Sequence, residues 1–434
     1  VATKQEEIKE KYGITSKQYE SLETVKSASD TMWEECAELT LPYIYPTIDG
    51  TTQGNLLPTP FNSLGPTAVN ALAAKLLLAL LPPSGNFFRF MPDKKILAKE
   101  EVDEAQLIEL DKALSTLEHD VVEEISIQGI RVPLFEALKL LVVTGNTLLY
   151  KVKGKGLKVF SPHQYVIKRD FVGNVTEIII KETMSFISLP KKVQDQVKEE
   201  VTSSEEDKQD IDLTPVDVYT RITRTSPNSY LAWQEIKDVI LNNSIKTYTT
   251  DTLPYLPLRW STVNNEDYGR GLVEQYIGDL RSLEGLTQTI VEGSGIAAQF
   301  IFGLRPNSTL NIEDLNNAQN GEFVLGDLER EVSVLQVNKG PDLQVPMQMI
   351  QEITARLSRA FLMLQGNIRD SERTTAVEVR ATVSELESTL GGVYTVLAAE
   401  LQKPLLNLII QEMAPEVLKI TDISITTYGF TSSS

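Results

Sequence analysis

Leu272-Val273-Glu274-Gln275-Tyr276-Ile277-Gly278-Asp279-Leu280-Arg281-Ser282-Leu283-Glu284 opens the stretch that decides the fold. Val273, Ile277, Leu280, Leu283 and then Ile290 recur at three- and four-residue steps, so one face of a helix over 272–291 is apolar. Gly293 and Gly295 are expected to end it. Three short β-rich runs follow, 299–304, 322–325 and 332–337, separated by Asn, Pro and Gly. A second helix is expected over 346–364, with Ile350, Ile353, Leu357 and Phe361 as its apolar face. Glu352 and Arg356 stand four apart in the favourable order for an ion pair. Two helices thus bracket a small β-containing module.

Beyond a polar stretch, 365–374, Thr375-Ala376-Val377-Glu378 has the spacing of a capping box. Val379, Val383, Leu386, Leu390, Leu397, Leu401, Leu405, Ile409 and Met413 then continue one stripe. A helix of that span is about 55 Å long. Gly391-Gly392 and Pro404 predict a kink near one or both.

Upstream, Tyr19, Leu22, Val25, Met32, Trp33, Cys36 and Leu39 mark an amphipathic helix, with Cys36 as core filler on its apolar stripe. Pro66 suits the first turn of a helix over 66–81 that Pro82-Pro83 stops. A second amphipathic helix reads over 99–127, and a third over 133–144 ends at Gly145. The period then shortens. Runs 147–152, 157–160, 165–168, 175–181, 216–223, 230–237 and 256–260 read as strands. Residues 192–212 hold eight acids against three bases, and their later half reads as an exposed loop. The first 260 residues read as one mixed α/β body with a helical shell.

The chain has 434 residues with 41% hydrophobic and 23% charged content, which excludes disorder throughout and collagen-like repetition. Its single cysteine rules out a disulfide within the chain and any multi-cysteine zinc site. With 60 acidic against 41 basic residues the formal charge is −19, which argues against gripping nucleic acid over a broad surface. No apolar run approaches a membrane span, and the N-terminal residues show no signal core, so an intracellular protein of a reducing compartment is expected.

Chemistry-bearing motifs are absent. Lys153-Gly154-Lys155-Gly156 has the wrong spacing for a phosphate loop, and Gly293-Ser294-Gly295-Ile296-Ala297-Ala298 stands after a helix and before a strand, the reverse of a dinucleotide fingerprint. His119 lies among acids on a helix and His163 in the turn Ser161-Pro162-His163-Gln164; neither context suits catalysis or a metal. No enzyme, cofactor or metal is expected.

Asp267-Tyr268-Gly269-Arg270-Gly271, followed by Tyr276-Ile277-Gly278-Asp279-Leu280-Arg281-Ser282-Leu283-Glu284, closely resembles the portal, or head-to-tail connector, proteins of T7-like short-tailed phages. The resemblance extends to Glu372-Arg373-Thr374-Thr375-Ala376, to Val383-Ser384-Glu385-Leu386-Glu387-Ser388-Thr389-Leu390-Gly391-Gly392-Val393-Tyr394, and upstream to Leu57-Pro58-Thr59-Pro60-Phe61 and the run 74–83. It covers about residues 20 to 410.

That resemblance implies an α+β, mainly helical portal fold assembled as a ring, usually a dodecamer. Its parts would be an α/β wing over 1–265, stem helix 1 over 266–298, a clip over 299–340, stem helix 2 over 341–364, a tunnel loop over 365–374, and a long kinked wing helix with tail over 375–434. The family's helical crown is largely absent from this pattern. The implied function is the conduit at one capsid vertex through which double-stranded DNA is packaged and ejected. The alternative is a structural ring or adaptor of the virion without DNA contact. Implied partners are terminase, scaffold and major capsid proteins, internal core proteins and a tail adaptor, with assembly in the host cytoplasm and no membrane. On this reading Leu280, Leu283, Ile353 and Leu357 pack the stem. Arg369 and Arg373 face the DNA channel, and Asn307, Asn311, Asn320 and Gly321 belong to the docking clip.

Overall fold

The computed structural model describes residues 2–45, 57, 59–82, 87–92, 104–201, 214–297, 300–304, 306, 312–317, 332–336, 340–363, 390, 392–413 and 423–427. Helices α1 (Ala2–Tyr12), α2 (Thr15–Glu38), α3 (Leu64–Leu80), α4 (Glu104–Ile127) and α5 (Arg131–Thr144) precede the strand-rich middle, with strand β1 (Phe88–Pro92) between α3 and α4. Pro66 does sit in the first turn of α3, where its missing N–H costs nothing. Gly145 ends α5 with φ +77°, and its N–H donates to Leu141 O. Both are local signals that packing had no reason to override.

Among the described residues every strand pair is antiparallel. β2 (Asn146–Val152) lies between β10 (Tyr255–Arg259) and β3 (Gly156–Phe160). A larger sheet runs β4 (Tyr165–Arg169), β5 (Val175–Ser185), β6 (Pro215–Ser226) and β7 (Ser229–Ile236), with β8 (Val239–Ile240) and β9 (Lys246–Thr249) both on β7. The run Ile178-Ile179-Ile180 explains itself here. Ile178 and Ile180 face a core with Phe160, Tyr165 and Ile222, while Ile179 packs with Tyr19 of α2 on the opposite face. A strand covered on both sides loses apolar/polar alternation. α6 (Lys191–Val201) takes the first half of the acidic stretch, because Val197 and Val201 bury against Val216 and Ile236; residues 202–212, the expected exposed loop, lie outside the described residues.

The main core gathers α3, α5, Trp33, Cys36 and the C-terminal helix, whose parts are α11 (Gly392–Leu397), a π-helical turn Ala398–Gln402, and α12 (Lys403–Met413). The π turn stands directly before Pro404. The N–H of Lys403 donates to Ala398 O, one residue wider than an α-helical bond, at the place where proline cannot continue the regular ladder. The irregularity expected at Pro404 is therefore a widened turn; the stretch of that long helix over 375–389 lies outside the described residues. By length and composition Gly392–Met413 could cross a membrane, but it is a core helix, with Leu397, Leu401, Leu405, Ile409 and Ile410 buried. β13 (Ile423–Thr427) returns to pair with β1. That partnership across the whole chain had no sequence signal.

Cys36 is fully buried, and burial pushes its thiol up to about 12. A maleimide at neutral pH should leave the folded protein unmodified and label it only in denaturant. Rapid labelling of native protein would remove Cys36 from the core.

Candidate functional site: the helical pair and its knot with the α/β body

α7 (Leu272–Gln275) is a single turn, interrupted at Tyr276, and α8 (Ile277–Ala297) continues past both glycines expected to end it. Two helix-interior glycines cost about 1 kcal/mol each, too little to break a packed helix. At Gly293 a Cβ would meet only Leu343 of the opposite helix, at an ordinary contact distance of 3.4 Å. The chain crosses an antiparallel ribbon of β11 (Phe300–Leu304) and β12 (Val332–Gln336), with a short helix α9 (Ile312–Asn317) between them in sequence. It returns in α10 (Gly340–Ala360), which begins six residues before Pro346 and carries that proline inside. Of the module's three expected β runs two are these strands; 322–325 lies outside the described residues, and α9 was not anticipated.

Leu280 and Leu283 on α8, and Ile353, Leu357 and Phe361 on and after α10, are all buried in the main core. Tyr276 and Phe361 rings meet at 5.8 Å. The far end of the pair is different: Val291, Ile296, Val345, Met347 and Met349 are exposed.

Every charged residue of the block 278–284 reaches a different element. Asp279 pairs with Arg356 of α10 at 2.8 Å, which corrects the expected Glu352–Arg356 pair; Glu352 instead accepts from Gln348. Arg281 forms a two-bond pair with Glu35 of α2, and this bond holds the Glu35 carboxyl below the usual carboxylate range. Glu284 accepts the backbone N–H groups of Phe61 (2.7 Å) and Asn62 (3.1 Å), fixing the loop that enters α3. A helix whose apolar face is in the core and whose charges bind three neighbours can lean in only one direction.

Residues 267–271 form the knot. Asp267 Oδ1 accepts the N–H of Arg169 at 2.6 Å and the hydroxyl of Tyr268 accepts that of Ile167 at 3.1 Å, which closes the free edge of β4. Asn146 then treats Gly269 as a strand partner: its Oδ1 accepts the glycine N–H and its Nδ2 donates to the glycine carbonyl, each at 2.7 Å. A Cβ on Gly145 would lie 2.4 Å from Gly271 N; one on Gly271 would lie 2.6 Å from Val143 O; one on Gly269, 2.6 Å from Ser261 O. Backbone meets backbone at all three, so no side chain can move aside. Arg270 points outward to Glu266 (2.8 Å) and Glu274 (2.6 Å), whose hydrogen bonds hold its guanidinium protonated.

The C-terminal helix is tied to the same region. Arg259 donates through Nη2 to Glu400 Oε1 at 2.6 Å, and its own N–H donates to Glu400 Oε2 at 3.1 Å. Burial, and next the nearby Arg259 charge, lower Arg169 to about 10. Asn146, Arg259 and Glu400 carry no sequence signal, since each acquires its partner from more than a hundred residues away.

His119 is exposed. His163 lies in a 3-10 turn capped by Ser161, its ring stacked on Tyr45 at 3.5 Å. Among the described residues no group of three His, Cys, Asp or Glu side chains is placed to hold a metal. Arg369, Arg373, Asn307, Asn311, Asn320 and Gly321 lie outside the described residues.

Residues 14–426 match the family model of the bacteriophage head to tail connecting protein. The chain is 37% identical over 401 residues to the portal protein of Enterobacteria phage T3 and 35% identical over the same length to that of Escherichia phage T7, covering 91% of this chain and 73% of each relative. A solved structure of the neck of a native gene transfer agent particle is 13% identical with a TM-score of 0.37, covering 84% of this chain and 80% of that one. The blocks 267–271 and 276–284 build the knot and the base of the helical pair, and the family match runs through both: the chain belongs to the bacteriophage head-to-tail connecting protein family, the portal proteins, which are structural and non-enzymatic components of the virion.

Proposed function

We propose that this chain forms a ring, of twelve copies by the family resemblance, at the capsid–tail junction, and that double-stranded DNA is packaged and ejected through its centre. The observation that carries this reading is family membership over 14–426. In it, residues 1–265 are the wing, α8 and α10 the stem, the β11–β12 module the clip that docks terminase and later the tail adaptor, and 365–374 the loop that reaches DNA. Scaffold, major capsid and internal core proteins are the further partners. The C-terminal helix belongs to the wing. The exposed apolar end of the stem pair suits contact between neighbouring copies.

Charge supports a conduit. An acidic chain of net −19 repels phosphate and lets a duplex slide. Within 365–374, Arg369 and Arg373 balance Asp370 and Glu372, so each copy's grip is weak, and a ring multiplies weak contacts. The double variant Arg369→Ala/Arg373→Ala should assemble normally yet retain packaged DNA less well, with a larger deficit at low salt than at high. Full retention at every salt concentration would favour a ring without DNA contact.

A further inference from the structure

Lys75 is the one charged residue of α3, and it is buried. Its neighbours on the helix, Leu76, Leu78 and Leu80, show that an apolar side chain is what this core otherwise selects. The ammonium instead donates to the carbonyl of Leu362 at 2.7 Å. That carbonyl belongs to the turn ending α10. Leu362 is left-handed, φ +57°, its N–H donates to Arg359 O at 3.1 Å, and the N–H of Met363 donates to Ser358 O at 2.8 Å. This is the glycine-type helix stop built on leucine. Leucine holds the strained conformation because its side chain is buried in the main core, and a cation at the carbonyl end of a helix favours the arrangement. The far end of α3 is bound as well: Gln402 of the π turn donates to Leu80 O at 2.8 Å. One helix therefore holds the chain both before and after 364–389.

We propose that Lys75 is a positioning residue: it pins the left-handed turn at Leu362 and so sets the direction in which the chain leaves stem helix 2 toward residues 365–374. The proposal rests on reading that stretch as the DNA-facing loop. An apolar residue in its place could not hold the carbonyl.

The test uses full-length protein in rings and in assembled heads. Lys75→Met keeps the stem of the side chain and removes the donor; Lys75→Arg keeps a donor. For Lys75→Met, light scattering should show an intact ring, hydrogen exchange at the amides of 361–363 should be about tenfold faster, and fewer heads should hold full-length DNA. Lys75→Arg should restore both. In an Arg369→Ala/Arg373→Ala background, Lys75→Met should still loosen the turn but lower retention no further. Unchanged exchange, or a retention loss that adds to that of the arginine pair, would overturn the proposal. If Lys75→Met does not assemble, Lys75→Arg carries the test alone: an assembled ring with a loosened turn and normal retention would overturn it too. If the arginine pair alone has no effect, the channel reading fails, while the exchange measurement still reports whether Lys75 pins the turn.

Discussion

Leu357→Asp should abolish both the folded helical pair and the ring. Leu357 is fully buried, packed in the core with Leu283, Ile353 and Phe361. Losing the leucine removes about 2–3 kcal/mol of burial. A carboxylate in its place costs several kcal/mol more unless it finds a partner, and the adjacent Arg356 is already held by Asp279. The sum reaches the whole stability of an ordinary domain, about 5–15 kcal/mol. Val345→Asp is the control. Val345 lies on the same helix but is exposed, so its own fold should change by about 0.5 kcal/mol or less. Circular dichroism melts and light scattering separate the two: Leu357→Asp loses the melt and the ring together, while Val345→Asp keeps the melt. A native-like melt for Leu357→Asp would place that residue outside the core. Loss of the ring alone for Val345→Asp would assign the exposed end to contacts between copies.

Gly145→Ala should be destabilising by about 3–5 kcal/mol, the combined cost of a left-handed alanine and an unrelievable clash. The clash is with Gly271 N at 2.4 Å and Arg270 C at 2.5 Å, both main-chain atoms. Gly129→Ala supplies the comparison. Gly129 has φ +63°, and a Cβ there meets nothing within 4 Å, so it should cost only the left-handed penalty of about 1–2 kcal/mol. Denaturant titrations of the two variants measure the difference. Equal losses would mean that the knot at 267–271 is not as tight as the distances state. Because the knot joins β2, β4 and the start of α7, its loosening should also lower ring yield more than Gly129→Ala does.

Individual elements show why some signals were legible and others were not. Pro66 and Gly145 act through their own backbone, so their positions in helix ends could be read directly. Gly293, Gly295 and Pro346 were read by the same logic and misled. Each carries a local cost of about 1–3 kcal/mol, smaller than what the apolar faces of α8 and α10 recover by packing. Arg356 had a good partner four residues away in Glu352, yet Asp279 on the facing helix takes it. An exposed pair along a helix is worth only a few tenths of a kcal/mol, so the approach of α8 decides.

By itself the sequence determined the family, most of the helices and strands in their order, the apolar faces through Leu280, Leu283, Ile353 and Leu357, and the place of Cys36 in the core, because periodicity and contiguous motif blocks are written along the chain. Only the tertiary structure decided what the motif glycines are for, that Asn146 serves Gly269 as a strand partner, that β1 pairs with β13, and that Lys75 meets the carbonyl of Leu362. These contacts join residues separated by up to several hundred positions. Their energy exists only once the chain has closed, when a buried polar group must find a partner and two backbones must pass without a side chain between them.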